Sequence, residues 1–406
     1  MKLLFQELRK IWRPGILAAI ALLGVFYFYL FPSFYIEYFC NGPAAKAQYD
    51  LSAGWIAQYG PTIEPLERAQ LDGQLTEAYA LFNRQIAAIP EAAAEGLSNY
   101  KAFCAYREKV YQTASQQDGD VDMTAETLIQ RIIGGTNWYT IQELQQFLSD
   151  YDALELQLDA RSRQDYLDIG YTEAMIRRME KISSDASRSI LPSSVGVSTN
   201  EYGKDLAVWC VLSTVLLLSP TLVRDRLYRM RSTQWASRRG RRVLHTQFAA
   251  AGLSALLLTA LNLTAYAVPF LSKGPLLFRD CGLRSVWSSV SPTPWFEWTY
   301  GTYLLVLAGL IAALTLAAAA LTVFLSQYSG NYVAMLLKAL PLFGAGAVLG
   351  SWLLEYPFCF RPLWDGAGPW VPAGTEAGVT AALLLLGLGL CLLACRRQKR
   401  RELLNS

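Results

Sequence analysis

The chain reads as all-α: a polytopic membrane protein with six transmembrane helices and an inserted α-helical extracellular domain. Three observations predict this. Hydrophobic residues make up 53% of the 406 and charged residues only 17%, with mean hydropathy +0.21. That is too apolar for an average soluble protein and too poor in charge for a disordered one. Six apolar runs each reach about the 17–25 residues a helix needs to cross the hydrocarbon core. Between the first and second runs the composition changes: residues 37–204 hold 24 Asp+Glu and 14 Lys+Arg, a net of −10. The overall charge of +3 hides this segregation.

The first thirteen residues, MKLLFQELRKIWR, place Leu3, Leu4, Leu8, Ile11 and Trp12 on one helical face and Lys2, Arg9, Lys10 and Arg13 on the other. They read as a helix lying in the cytoplasmic interface, turned into the membrane at Pro14-Gly15. Residues 14–39 form the first span. It ends in an aromatic cluster that includes Phe26, Tyr27, Phe28 and Tyr29, suited to the headgroup boundary. The rival reading is a cleaved signal peptide, but the run exceeds the roughly 7–15 residues of a signal core.

Residues 40–204 read as one helical domain, long enough for a core of its own. Ile63, Leu66, Leu71, Leu75, Ala78, Tyr79, Phe82, Ile86 and Ile89 recur at spacings near three and four, the mark of an amphipathic helix. Further helices are expected near 91–115, 124–133, 140–164 and 172–188. Thr140 with Glu143 reads as a capping box and Thr172 as an N-cap.

Five spans follow, at 205–223, 248–271, 299–325, 333–354 and 376–395, within a membrane region 205–395. With six spans both termini share a side, and the charge bias names it. Seventeen Lys and Arg fall in the N-terminal segment, the loop 224–247 and the tail 396–406. The loops 272–298 and 355–375 hold only Lys273, Arg279, Arg284 and Arg361. The former are therefore cytoplasmic and the latter outer.

The loop 224–247 carries eight arginines against one acid, Asp225, and is longer than neighbouring helices require. Topology anchoring explains the arginines singly. A basic surface helix that binds lipid or a partner protein is the sharper reading. Trp287, Trp295 and Trp298 in the outer loops read as interfacial anchors. Ala317 to Ala320, Gly344, Gly346 and Gly350 permit close helix packing.

Catalytic chemistry is sparse. The sequence holds no GxxxxGK[ST] loop, so the chain does not itself cradle a nucleotide in that manner. The single histidine, His245, stands beside the arginine cluster with no ligand set around it. Lys338 lies near the inner end of its span, where it can snorkel. Asn262 and Thr264 read as interhelical hydrogen-bonding groups. No catalytic, metal-ligating or cofactor-binding residue is assigned. Of seven cysteines, Cys281 and Cys359 fall in outer loops where a disulfide could form.

One span, a large outer domain, five further spans and a basic loop between the second and third resemble the type-2 ABC transporter permeases of bacteria. The architecture is most similar to the Gram-positive group with a helical outer domain. The local match is Asp225, Met230, Ala236-Ser237, Arg238-Arg239 and Gly240-Arg241. It departs from the family pattern in Arg229 for a common glycine, Ala236 for a hydroxyl residue, and the lack of a lysine near Gln247. The stretch GPTIEPLERAQL also looks like ectodomains of this group.

The resemblance implies that residues 1–13 are a connecting helix and that the loop is a coupling helix docking into a separate P-loop ATPase. Asp225, Met230, Arg238, Arg239, Gly240 and Arg241 would make the contact. Residues 355–375, read from the sequence as an outer loop or a partly re-entrant hairpin, would correspond to short outer helices. ATP-Mg would be bound by the ATPase and not by this chain, which would pair with a second permease, identical or a sibling, in the plasma membrane. The chain would be an exporter subunit, not an enzyme, and no nucleic acid enters. A membrane sensor whose acidic outer domain binds a cationic peptide is the alternative. An intramembrane enzyme is disfavoured, because no catalytic cluster appears.

Overall fold

The computed structural model describes residues 2–116, 122–153, 172–184, 188–228, 243–288, 294–355, 357–359, 361–364 and 367–404. The chain divides into two compact units. One comprises Met1–Phe39, Gly196–Arg279 and Pro292–Ser406; the other comprises Cys40–Val195 and Asp280–Ser291.

The first unit is a bundle of long apolar helices. It opens with α1 (Lys2–Ile11) and α2 (Pro14–Leu30), which meet at 51°. Pro14 opens α2 at its first position, where the missing N–H costs nothing. The apolar run 14–39 is not one helix: α2 stops at Leu30 and α3 (Pro32–Glu37) follows. Pro32 is the cause, since its ring would collide with the carbonyl four residues back. Among the described residues, five stretches are long and apolar enough to cross a membrane: Ser193–Leu227, Val243–Leu271, Tyr300–Gln327, Tyr332–Leu353 and Thr375–Arg397. The α1–α2 pair passes the same test when taken together.

For the helices of the chain beyond the second unit we use α11 (Ser193–Leu218), α12 (Pro220–Leu227), α13 (Val243–Leu271), α14 (Tyr300–Gln327), α15 (Tyr332–Leu353) and α16 (Thr375–Leu404). Pro220 breaks the second run into α11 and α12. Helix α14 packs on α13, α15 and α16. At Gly387 of α16 a Cβ would stand 2.8 Å from Ala320 Cβ of α14, so that crossing requires glycine. Gly344 and Gly346 face open space instead, with no neighbour within 4 Å of an added Cβ among the described residues.

Between α15 and α16, Arg361–Trp364 (β1) pairs antiparallel with Ala367–Val371 (β2), Arg361 opposite Val371. Outside this hairpin, isolated bridges and two short 3₁₀ turns, the described elements are α-helical. The short outer helices implied for 355–375 are replaced by this ribbon, because Pro362, Pro369 and Pro372 leave too few backbone donors for helix.

The second unit contains α4 (Pro43–Tyr59), α5 (Pro65–Ala87), α6 (Pro90–Ala94), α7 (Tyr100–Gln116), α8 (Met123–Gly135), α9 (Trp138–Ala153) and α10 (Glu173–Ser184). Leu71, Phe82 and Ile86 of α5 are buried, as the periodicity requires, whereas Leu66 in its first turn is 85% exposed. Phe82, Phe103, Ile129, Ile132, Trp138 and Ile141 form the core. Thr140 does not cap α9, which starts two residues earlier. Asn137 is tied to α5 through Gln85 and the Ala78 carbonyl, and this sets the helix start. Glu143 accepts from Gln48 at 2.7 Å. Thr172 behaves as read, accepting from Met175 N at 3.4 Å.

The segment Asp280–Ser291, far along the chain, belongs to this unit. Ser189 accepts from Val286 N at 3.0 Å and donates its Oγ proton to the Gly282 carbonyl at 2.8 Å. Trp287 is buried against Trp55 and Phe147, and its indole N–H donates to Ser52 Oγ at 2.9 Å. It is therefore a core residue of this unit and not an interfacial anchor. None of the seven cysteines forms a disulfide in this structure.

Candidate functional site

Of the six residues read as partner contacts, Asp225 is described; Met230, Arg238, Arg239, Gly240 and Arg241 lie outside the described residues. What the structure defines is the anchorage of both ends of the basic loop, at the end of the bundle that carries α1.

Helix α12 delivers the loop's first residues. Ser219, one residue before Pro220, takes its amide to the Val215 carbonyl at 2.9 Å, and its own carbonyl accepts from Ser326 Oγ at 3.0 Å. Ser326 Oγ accepts in turn from Leu222 N at 3.2 Å. This locks the α11–α12 bend onto α14. The next residues are charged yet buried: Arg224 is 6% and Asp225 2% exposed. Burying charge is costly unless it is paired and hydrogen-bonded. Here it is.

Asp225 Oδ2 accepts from Gln247 Nε2 of α13 at 2.8 Å and lies 3.7 Å from Lys10 Nζ of α1. Lys10 also pairs with Glu7 at 2.7 Å, a residue whose burial in an amphipathic helix this pairing explains. Arg224 donates from Nη2 to the Lys10 carbonyl at 2.8 Å, satisfying one of the orphan acceptors at the end of α1. Arg226 reaches the turn between α14 and α15, donating to the Ser329 carbonyl at 2.9 Å and to the Gln327 carbonyl. Lys338 donates to the Tyr328 carbonyl at 3.1 Å in that turn, so its ammonium sits at the end of the bundle as read.

The loop's far end is held as firmly. Val243, Leu244 and Gln247 in the first turns of α13 are buried, and Gln247 is the residue that grips Asp225. His245, between them, is exposed. One carboxylate thus joins the helix that enters the loop, the helix that leaves it and α1. Sequence reasoning singled out Asp225 but missed Gln247 and Glu7. Their signal was polarity at positions where the helical pattern demands an apolar residue.

A second polar cluster lies deeper. Asn262 of α13 accepts from Trp209 Nε1 at 3.3 Å and donates to Ser213 Oγ at 2.9 Å, both on α11. It is the interhelical bond expected of it. Thr264 is not: it is exposed and returns its proton to Ala260 of its own helix. Among the described residues no group of three or more His, Cys, Asp or Glu could hold a metal ion.

Comparison with protein-family models, curated proteins and solved structures returns no match for the chain.

Proposed function

We propose that the chain is the membrane-spanning permease subunit of an ABC transporter of the export type, driven by a separate ATPase. The observation that carries this is the double anchorage of the basic loop 229–242. A loop that only marked topology would need charge and nothing more. This one leaves from Asp225 and returns to Gln247; those two residues are bonded to each other, and Asp225 is also paired with Lys10 of α1. Motion imposed on such a loop reaches the ends of α12 and α13 and, through Asp225, that of α1. A lever on a helix bundle requires that coupling.

In this reading the α1–α2 pair is the connecting helix and first of six spans. Both termini and the loop are cytoplasmic, and the acidic helical unit is extracellular. Arg238, Arg239 and Arg241 make charge-assisted bonds to the ATPase. ATP-Mg belongs to that partner, and a second permease chain completes the path. ATP binding then shifts a two-state equilibrium of the spans by differential affinity for one arrangement.

The test is affinity capture of the tagged full chain from its native membrane, with partners identified by mass. A stoichiometric P-loop ATPase is expected, lost in the Arg238→Glu/Arg239→Glu/Arg241→Glu variant while insertion is unchanged. Capture without any ATPase would overturn the permease reading and favour a sensor whose acidic unit binds a cationic peptide. Unaltered capture by the triple variant would remove the loop from the contact.

A further inference from the structure

Helices α2 and α13 do not pack along their length. Helix α2 and the residue just before it, Trp12, are tied to α13 at two places. At one end Trp12 Nε1 donates to Ser254 Oγ at 3.0 Å; further along, Tyr266 OH donates to the Gly24 carbonyl at 2.8 Å, with Phe28 edge-on to the Tyr266 ring. On α13 the ties are twelve residues apart, about 18 Å at 1.5 Å per residue. Alongside them runs a groove of about 660 Å³ whose α13 wall extends from Leu258 to Pro269. Its walls are apolar: Leu17, Ala21 and Val25 on one side, Leu258, Leu261 and Ala265 on the other. Its floor is Trp209, pressed so tightly under α2 that a Cβ on Gly24 would stand 2.8 Å from the indole. The only amide lining it, Asn262, has both ends of its side chain engaged.

These dimensions choose the occupant. The length is close to the roughly 15 Å of one leaflet, half of a hydrocarbon core about 30 Å thick. A volume of about 660 Å³ over that length is ample for an alkyl chain. At the Trp12 end the adjoining residues Arg9 and Arg13 are exposed cations, and the indole of Trp12 suits the headgroup level. We infer that this groove binds an anionic phospholipid of the cytoplasmic leaflet, one acyl chain lying between α2 and α13 and the phosphate at Arg13 and Arg9. The leaflet assignment rests on the orientation proposed above; the groove does not.

The experiment is native mass spectrometry of the full chain, reconstituted in nanodiscs of phosphatidylcholine with phosphatidylglycerol and released into mild detergent. Wild type is expected to retain phosphatidylglycerol over phosphatidylcholine. Arg9→Gln and Arg13→Gln should each lower that preference about fivefold, from about 1 kcal/mol per cation near a lipid headgroup. Ala21→Trp should fill the groove and remove both lipids, whereas Leu385→Trp on the exposed face of α16 should change neither. Retention unaltered in Ala21→Trp overturns the proposal, as does a second copy of the chain displaced by that variant in place of lipid. Capture of the ATPase is read from the same preparations. Its absence with lipid retained sinks the permease reading and leaves the groove standing; its presence without lipid does the reverse.

Discussion

Both units have largely apolar interiors, but they expose opposite kinds of residue, and most of the buried polar side chains lie in the bundle. In the helical unit the interior is Phe82, Phe103, Trp138 and isoleucines, while ion pairs such as Lys46–Asp50 and Arg68–Asp152 lie outside. In the bundle, leucines such as Leu22, Leu305 and Leu385 are more than 70% or at least 70% exposed, and Glu7, Asp225, Asn262, Ser213 and Thr315 are inside. Water rewards removal of apolar surface from contact with it. Lipid does not, because acyl tails are as apolar as leucine, and what it penalises is an unpaired polar group. The same alphabet therefore yields two inverted exteriors around interiors that are both largely apolar. The bundle's interior specificity has to come from hydrogen bonds and close contacts, of which Asp225–Gln247, Asn262–Ser213 and Gly387–Ala320 are the named cases.

The largest effect that would break this contrast is expected from truncation. Trp138→Ala should destabilise the helical unit by about 3–5 kcal/mol through cavity formation. Leu385→Ala on the bundle's exterior should stay within about 0.5 kcal/mol. Thermal unfolding of the full chain in detergent, followed by circular dichroism and limited proteolysis, compares them. A Leu385→Ala cost as large as that of Trp138→Ala would mean that this face is covered by protein.

An intermediate effect should follow Asp225→Ala. It leaves Lys10 and Gln247 without their shared acceptor, at a cost of roughly 1–3 kcal/mol, and releases α1. Asp225→Asn, which keeps an acceptor for Gln247, should cost less. Faster proteolytic cleavage near residue 12 in the alanine variant, with the helical unit's melting unchanged, is the expected readout. Unchanged cleavage would show that α1 is held by its apolar contacts alone.

The smallest effect belongs to the outside of the helical unit. Arg68 grips Asp152 with two bonds, Nε to Oδ1 at 2.8 Å and Nη2 to Oδ2 at 2.6 Å, holding that carboxyl below the ordinary carboxylate range. An acid whose value is depressed on folding stabilises the fold above its unfolded value near 3.9. The contribution disappears as pH falls through the lowered folded value. Asp152 is 55% exposed, so the pair is worth no more than about 1 kcal/mol. Asp152→Asn should lower stability slightly at neutral pH and converge with wild type in acid. A gap that persists at low pH would assign the loss to packing and not to charge.

What the sequence determined by itself is whatever depends on local composition. The apolar runs, the acidic stretch and the basic loop are readable because bilayer length and charge act on each segment separately. The periodicity of Leu71, Phe82 and Ile86 is readable because a helix has one buried face. Proline effects were legible in principle, yet Pro32 split a run that hydropathy joined, and at 361–371 a hairpin stands where the resemblance implied short helices. What only the tertiary structure decided is who meets whom. Trp287 became core because Ser189 and Ser52 receive its segment, and Asn137 moved the start of α9 by pinning it to α5. Asp225 sits on the same motif that suggested a surface contact, but Gln247 and Lys10 draw it inside. Such pairings join residues up to 242 positions apart, and no local pattern encodes a partner at that distance. Packing alone brings the second half of each bond into place.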